Sequence, residues 1–507
     1  MVSLRFLHML GIAAIMIFSG CGGGDAGIAW TEPSFKDMIS EYHDNSIGNL
    51  SNPKSGNPAV YIDASDCIVE ALKAPVHART IKELATEFAT DPSIMFFGLG
   101  VNNYQGVGQI AGDGSAIYAR IVSPIKDIYA PIDSALMRMA DAQNDGLLVS
   151  DFELLRNNAG KKEEDFAPYA ENHFKKWIDA GNSITVFYAP YTEQGAAKNL
   201  YYLFFNHGSV SGKSLVSHFD PIAQRQGLKR IEINPNVYQV TNEYGGKTLT
   251  GLMQDDPNTT DLKLNDQSQV LNSYYNGFAD KQEPYEALEF QMDLPGLFEN
   301  YFKDNKKFAG KVFLNSGVTN TYGLKGVEVK VTDVTDDFNH YSHCKEAKQH
   351  KPVLTKDEGK NNIWDDKTIQ DPIASECYEE NTQKLKQEYM YVYKATDSIS
   401  EYFELDNNLF TQHLQNSPQQ IELRTIFHKQ FQPGNIDNSK EKILRLDLVV
   451  GDVSIASNPD LENLKWGSII TKGTFNESLY QSVYKTIRDI SPKGRRLYSY
   501  YVKFSAK

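Results

Sequence analysis

The sequence predicts an α/β fold with a mostly parallel sheet over residues 57–235, followed by a β-rich C-terminal domain over residues 301–507. Two observations carry this reading. Short apolar runs alternate with helical repeats through the first part, the pattern of a sheet with helices on both faces. After about Asn236 the helical repeats give way to runs in which apolar and polar residues alternate, as they do in half-buried antiparallel strands.

In chain order, Ala59-Val60-Tyr61-Ile62 reads as a buried strand ending at Asp63, with helices around Ile68–Leu72 and Thr80–Ala89 and a second strand over Ile94–Gly98. Between Ala130 and Ala142 a helix places Ile132, Leu136 and Met139 on one face, and Leu147-Leu148-Val149 is a strand ending at Ser150-Asp151. Tyr169, His173, Phe174 and Trp177 fit a helix closed by Gly181-Asn182, which leads to strands over Ser183–Tyr188 and Leu200–Phe205. Residues 236–300 form a connecting segment, polar through Asp255-Asp256-Pro257-Asn258. Beyond it, strands are expected over Val312–Leu314, Val327–Val331, Tyr389–Tyr393, Ile421–Phe427 and Leu444–Val450. Leu479, Val483 and Ile487 mark a helix before a final strand, Tyr498–Phe504. Residues 333–380, charged and poor in aliphatic side chains, read as a long insertion or surface loop.

The first residues carry a different signal. A lone Arg5, an apolar run from Leu10 to Phe18 and the small residues before Cys21 predict a signal peptide over residues 1–21. The ending Ser19-Gly20-Cys21 resembles the lipobox of bacterial lipoproteins, with Phe18 where Leu is usual, which implies lipidation of Cys21 and a membrane anchor. Residues 22–56, rich in Gly, Asn, Ser and Pro, would be a flexible spacer. The implied location is the bacterial cell envelope, at the outer membrane.

A net charge of −14 over 507 residues argues against nucleic acid as a partner, because binding it requires a positive face. Besides Cys21 the chain has Cys67, Cys344 and Cys377, too few for a disulfide scaffold, although export would allow Cys344 and Cys377 to pair.

The chemistry-bearing constellation is Asp63-Ala64-Ser65-Asp66-Cys67 at one strand end, Ala130 to Leu136 before a helix, and Ser150-Asp151-Phe152-Glu153 at another strand end. Here the sequence resembles a von Willebrand factor A-like domain, a Rossmann-like α/β fold whose Asp-x-Ser-x-Ser motif, loop Thr and strand-end Asp-Gly bind a divalent cation. The resemblance covers roughly residues 57–230 and implies Asp63, Ser65 and Asp151 as metal ligands, converging at the C-terminal edge of the sheet. This copy departs from the pattern: Cys67 replaces the second Ser, Ala130 the Thr and Phe152 the Gly. A thiol is a soft ligand for a hard cation, so the reading favoured here is a retained fold with a vestigial site, at which Mg²⁺ or Ca²⁺ would bind weakly. Asp66, Asp133 or Glu153 could supply substitute oxygens.

Other motifs reduce to structure. Asp141-x-Gln143-x-Asp145-Gly146 opens like a calcium loop but reaches Phe152 where a bidentate Glu is needed. Gly208 to Ser214 is similar to a phosphate loop but one residue short, and reads better as a turn capped by Ser211 or Ser214. His340, His343, Cys344 and His350 lack zinc-knuckle spacing and read as a solvated loop. The aromatic series Tyr498, Tyr500, Tyr501, Phe504 and Tyr201, Tyr202, Phe204, Phe205 could be glycan-stacking platforms or core strands. The expectation is therefore a non-enzymatic, lipid-anchored protein that binds a protein or matrix ligand. The alternatives are a glycan-binding lipoprotein of a nutrient-capture system and a metal-dependent hydrolase.

Overall fold

The computed structural model describes residues 39, 41–43, 57–101, 104–123, 130–142, 144–158, 161–207, 214–241, 243–244, 247–248, 271–276, 285–291, 308–315, 321–394, 399, 402–431, 441–471 and 473–505. The expected signal peptide, Cys21 and most of the expected spacer lie outside these residues. Among the described residues no helix is long and apolar enough to cross a membrane.

The first part is an α/β layer structure on a seven-stranded sheet. Its strands are β1 (Ala59–Asp63), β2 (Met95–Gly100), β3 (Gly106–Ile110), β4 (Gly146–Ser150), β7 (Ser183–Glu193), β8 (Ala196–Asn206) and β9 (Lys229–Ile233), in the order β3-β2-β1-β4-β8-β7-β9. The intervening β5 (Leu155–Asn158) and β6 (Lys161–Glu164) form a separate hairpin. Only the centre is parallel: β1 pairs in parallel with β2 and β4, whereas β3, β8 and β9 run against their neighbours, so the sheet is mixed. Tyr201–Phe205 pair antiparallel with β4 because a two-residue turn returns β8 directly beside β7. Gln194 and Gly195 take that turn with φ of 48° and 82°, the double left-handed geometry of a tight hairpin.

Both faces of the sheet are covered at its centre, so β1 and β4 are buried along their whole length, whereas the edge strands β3 and β9 keep exposed positions. Val60, Ile62, Leu147 and Val149 face helices α1 (Asp66–Ala71), α2 (Pro75–Phe88), α3 (Gly114–Ile121) and α6 (Leu215–Gln226). Tyr61, Leu148, Leu203 and Phe205 face α4 (Ile132–Asp141) and α5 (Glu171–Asp179). The second cluster continues without a break into the C-terminal region, through Trp466, Leu479 and Tyr500 among others. Tyr201 Oη donates to the Asn463 carbonyl at 2.8 Å, and Asn476 Nδ2 donates to Glu164 Oε1 at 2.6 Å.

The C-terminal region holds a five-stranded and a four-stranded sheet, antiparallel except where Tyr285–Gln291 meets Arg496–Ser505. Three expectations change here. Residues 333–380 are not a loop: Thr335–Gln349 is a helix, α7, with Cys344 buried, Phe338 and Tyr341 buried in one apolar cluster and Ala347 in a second one with Trp364 and Tyr389, so its few apolar side chains are nonetheless covered. Tyr389–Tyr393 form no strand, and Tyr389 ends a short 3₁₀ turn. The spacer is not wholly free of the fold: Ile39 and Tyr42 are fully buried against Phe338 and Tyr501, with Tyr42 Oη donating to Asp337 Oδ2 at 2.7 Å.

The glycan-stacking platforms are not formed. Tyr201, Tyr202, Phe204, Phe205, Tyr498, Tyr500, Tyr501 and Phe504 are each at most 3% exposed. Cys344 and Cys377 are free thiols rather than a disulfide.

Candidate functional site

The chain runs outward from β1 through β2 to β3 and then returns to the other side of β1 at β4, so β1 and β4 flank a topological switch point. Because the two strands are parallel, Asp63 and Ser150, their last residues, share the C-terminal edge. Ser150 Oγ donates to Asp63 Oδ2 at 2.7 Å and accepts from the Phe152 amide at 3.0 Å, while Ser65 N donates to Asp63 Oδ1 at 2.9 Å. Asp63, Cys67 and Asp151 offer ligand atoms within 4.8 Å of one another.

Past the sheet edge the β7–β8 hairpin overhangs this point. Tyr191 and Lys198 are cross-strand partners at its tip and both bond Asp151 Oδ2, at 3.1 Å and 3.0 Å. The Lys198 ammonium also lies 2.7 Å from Glu153 Oε2 and 2.9 Å from Glu193 Oε2, with its side chain 0% exposed. An ammonium thus stands among carboxylates where a hydrated cation would need open oxygens. Asp151 Oδ1 accepts from the Glu153 amide at 3.1 Å, so both Asp151 oxygens are engaged, as are both of Asp63.

Burial, joined by the charge of Asp151, pushes the Asp63 carboxyl up to about 6. The same two causes push Glu153 up to about 8 although Lys198 acts against them. Burial alone would lower the Lys198 pKa, but Asp151, Glu153 and Glu193 outweigh it and hold the group above its usual range. Burial also raises the Cys67 thiol well above its ordinary value, which keeps it from becoming the thiolate that binds metal.

Of the residues expected as ligands, Asp63 and Asp151 meet at the sheet edge, while Ser65 turns its Oγ toward Cys67 Sγ at 3.3 Å. Ala130 precedes α4 with no oxygen to offer from its side chain. Among the substitute oxygens, Asp66 is exposed, Asp133 bonds His173 Nε2 at 3.0 Å, and Glu153 joins the Lys198 cluster. Phe152 holds φ of 61° and is fully buried, so a bulky side chain takes a left-handed backbone that favours glycine.

Sequence reasoning missed Tyr191, Glu193 and Lys198. The available signal was a lone lysine and a glutamate bracketing a Gln-Gly turn between two apolar strands, but their distance from Asp151 along the chain hid the contact. Elsewhere, Asp145 accepts from the His207 and Leu215 amides instead of opening a calcium loop, and Ser214 Oγ caps α6 by accepting from Ser217 N at 3.2 Å. The Gly208–Lys213 part of that motif lies outside the described residues. His340, His343, Cys344 and His350 sit on or just after α7, with His343 against Tyr389 and His350 bonded to Asp371; among the described residues they form no metal-binding group.

No family model, curated protein or solved structure matches the chain.

Proposed function

We propose that the chain is a lipid-anchored envelope protein that binds a protein or matrix ligand through a von Willebrand factor A-like domain, without catalysis and without a metal ion. The observation that carries the reading is the enclosed Lys198 ammonium among Asp151, Glu153 and Glu193 at the switch point. A resident lysine supplies the positive charge that such a site takes from a cation, so ligand binding here would be indifferent to chelators. Further support comes from the Ser19-Gly20-Cys21 ending, from the approach of Asp63, Cys67 and Asp151, and from the left-handed Phe152 at the position of the family's glycine. A hydrolase is disfavoured because Asp63 and Asp151 are 1% and 2% exposed and already fully hydrogen-bonded. The aromatic series is buried and lends nothing to a glycan reading.

The test is photo-crosslinking of the exported protein in its native envelope, with probes on exposed residues of the first domain, run in Mg²⁺ and in EDTA. The same crosslinked partner in both conditions, lost from the membrane fraction in Cys21→Ala, is the expected result. A partner seen only with Mg²⁺, or a Cys21→Ala variant that stays membrane-bound after export, contradicts it.

A further inference from the structure

We propose that residues 39–43 are a strap that sets the orientation of the chain on its membrane: the α7 face of the C-terminal region lies next to the lipid, and the first domain, with its switch point, projects away from it. The inference rests on the lipidation of Cys21 proposed above.

The strap is built into the interior. Ile39, Tyr42 and His43 are each at most 1% exposed. The Tyr42 ring meets those of Phe338, Tyr341 and Tyr501 edge-on, with centroids 5.2 Å, 5.6 Å and 6.0 Å away. Its hydroxyl donates to Asp337 Oδ2 at 2.7 Å, an oxygen that also accepts from Tyr391 Oη at 2.8 Å, while Asp337 Oδ1 accepts from the Lys394 amide at 3.1 Å. Glu41 Oε2 accepts from Tyr341 Oη at 3.2 Å and lies 2.8 Å from Lys345 Nζ, and His43 Nδ1 lies 3.0 Å from Tyr501 Oη. One short segment is thus held by α7 and by the strand Arg496–Ser505 through apolar, ionic and hydrogen-bonding contacts at once.

Strand alternation shows which face it occupies, because neighbouring side chains of a strand point to opposite sides of the sheet. In Arg496–Ser505, Tyr500 and Val502 join the core shared with the first domain, and Tyr501 between them joins the cluster of Ile39, Tyr42, Val334 and Phe338. In the antiparallel neighbour Lys442–Ile455, Leu444 joins the shared core and Ile443 the strap cluster. The five-stranded sheet therefore stands between the strap and the core that the first domain shares. With the strap seated, the tether from Cys21 ends at Ile39; a chain of that length spans at most about 65 Å fully extended and about 25 Å as a random coil. Without the strap, the tether would run on through residue 56 and enter the first domain directly at β1. Seating Ile39 and Tyr42 moves the point of attachment from the first domain to the opposite face of the C-terminal sheet.

The test uses the full-length lipidated protein in phosphatidylcholine–phosphatidylglycerol vesicles containing spin-labelled lipid, with a fluorophore on Lys348→Cys or on Lys82→Cys. These positions are exposed on α7 and α2, and Cys67, Cys344 and Cys377 are buried. Fluorescence at position 348 should be quenched and that at position 82 retained. A flexible Gly/Ser insert of about 40 residues between Leu50 and Ser51, spanning about 35 Å, should leave both signals unchanged, because it lies beyond the strap. Ile39→Ser combined with Tyr42→Ala should lose the quenching at position 348; the insert disturbs no packed residue and decides the question even if that variant does not fold. Equal quenching at both positions, stronger quenching at position 82, loss of the signal difference on insertion, or quenching that persists in a folded double variant would overturn the orientation while the lipid anchor stands. Protein that does not bind the vesicles, or a Cys21 without acyl chains by mass spectrometry, would overturn the anchor and the orientation together.

Discussion

Lys198 and Asp151 are 47 residues apart in sequence, yet the ammonium meets Asp151 Oδ2 at 3.0 Å in the interior. Removing one partner of such an enclosed set strands the others, which costs about 3–5 kcal/mol. Lys198→Met should therefore lower the unfolding free energy by that order, as measured by urea denaturation. A loss below about 1 kcal/mol would mean that the pocket opens to water.

The Asp63 carboxyl supplies a pH signature. Its folded pKa of about 6 lies above the ordinary carboxylate value, so the folded state holds the proton more tightly than the unfolded chain. The resulting stability is complete below pH 3.8 and is lost as pH rises through about 6. Burial lowers His77 to about 4, which acts in the opposite sense, so the test is the difference between wild type and Asp63→Asn. Wild-type stability relative to the variant should fall by roughly 2–3 kcal/mol between pH 4 and pH 7. A difference that is flat or rises with pH contradicts the assignment.

Phe152 reverses the usual order of substitution. Its ring is buried against Tyr201, with centroids 5.9 Å apart, so Phe152→Ala should cost about 3–5 kcal/mol. At φ of 61° glycine relieves backbone strain that alanine keeps, so Phe152→Gly should be the more stable of the two by about 1 kcal/mol. Thermal unfolding of both variants decides this, and alanine proving better than glycine would remove the left-handed backbone from the account.

The continuous core predicts the behaviour of a nicked chain. Cleavage between residues 249 and 270 should leave the two fragments associated in native buffer, held by Tyr201, Asn463 and Trp466 and by the Glu164–Asn476 bond. Size-exclusion chromatography should return a single species that separates only in denaturant. Fragments that part without denaturant would show that the shared core contributes little.

Much of the central sheet was legible because strands buried on both faces leave an unbroken apolar signature, as at Ala59–Ile62 and Leu147–Val149. Asp63 and Asp151 were legible as strand-end residues. The mixed direction of the sheet was not, since a Gln-Gly hairpin and a crossover can present the same strand spacing and only the turn conformation separates them. Helix α7 escaped because its few apolar residues stand among many charges, and its burial depends on Tyr42 and Tyr501 from opposite ends of the chain. Lys198 was invisible as a site residue because a lysine near a turn is ordinarily solvated, and only the overhang of β7 and β8 buries it.

The central claim, that Lys198 fills the place of a cation, is tested most directly by calorimetric titration of Mg²⁺ and Ca²⁺ into the wild-type protein and into Lys198→Ala. Wild type should show no saturable binding tighter than about 1 mM, whereas Lys198→Ala, with Asp151, Glu153 and Glu193 left uncompensated, should gain divalent-cation binding and be stabilised by it. Micromolar binding to wild type that disappears in Asp151→Ala would contradict the account.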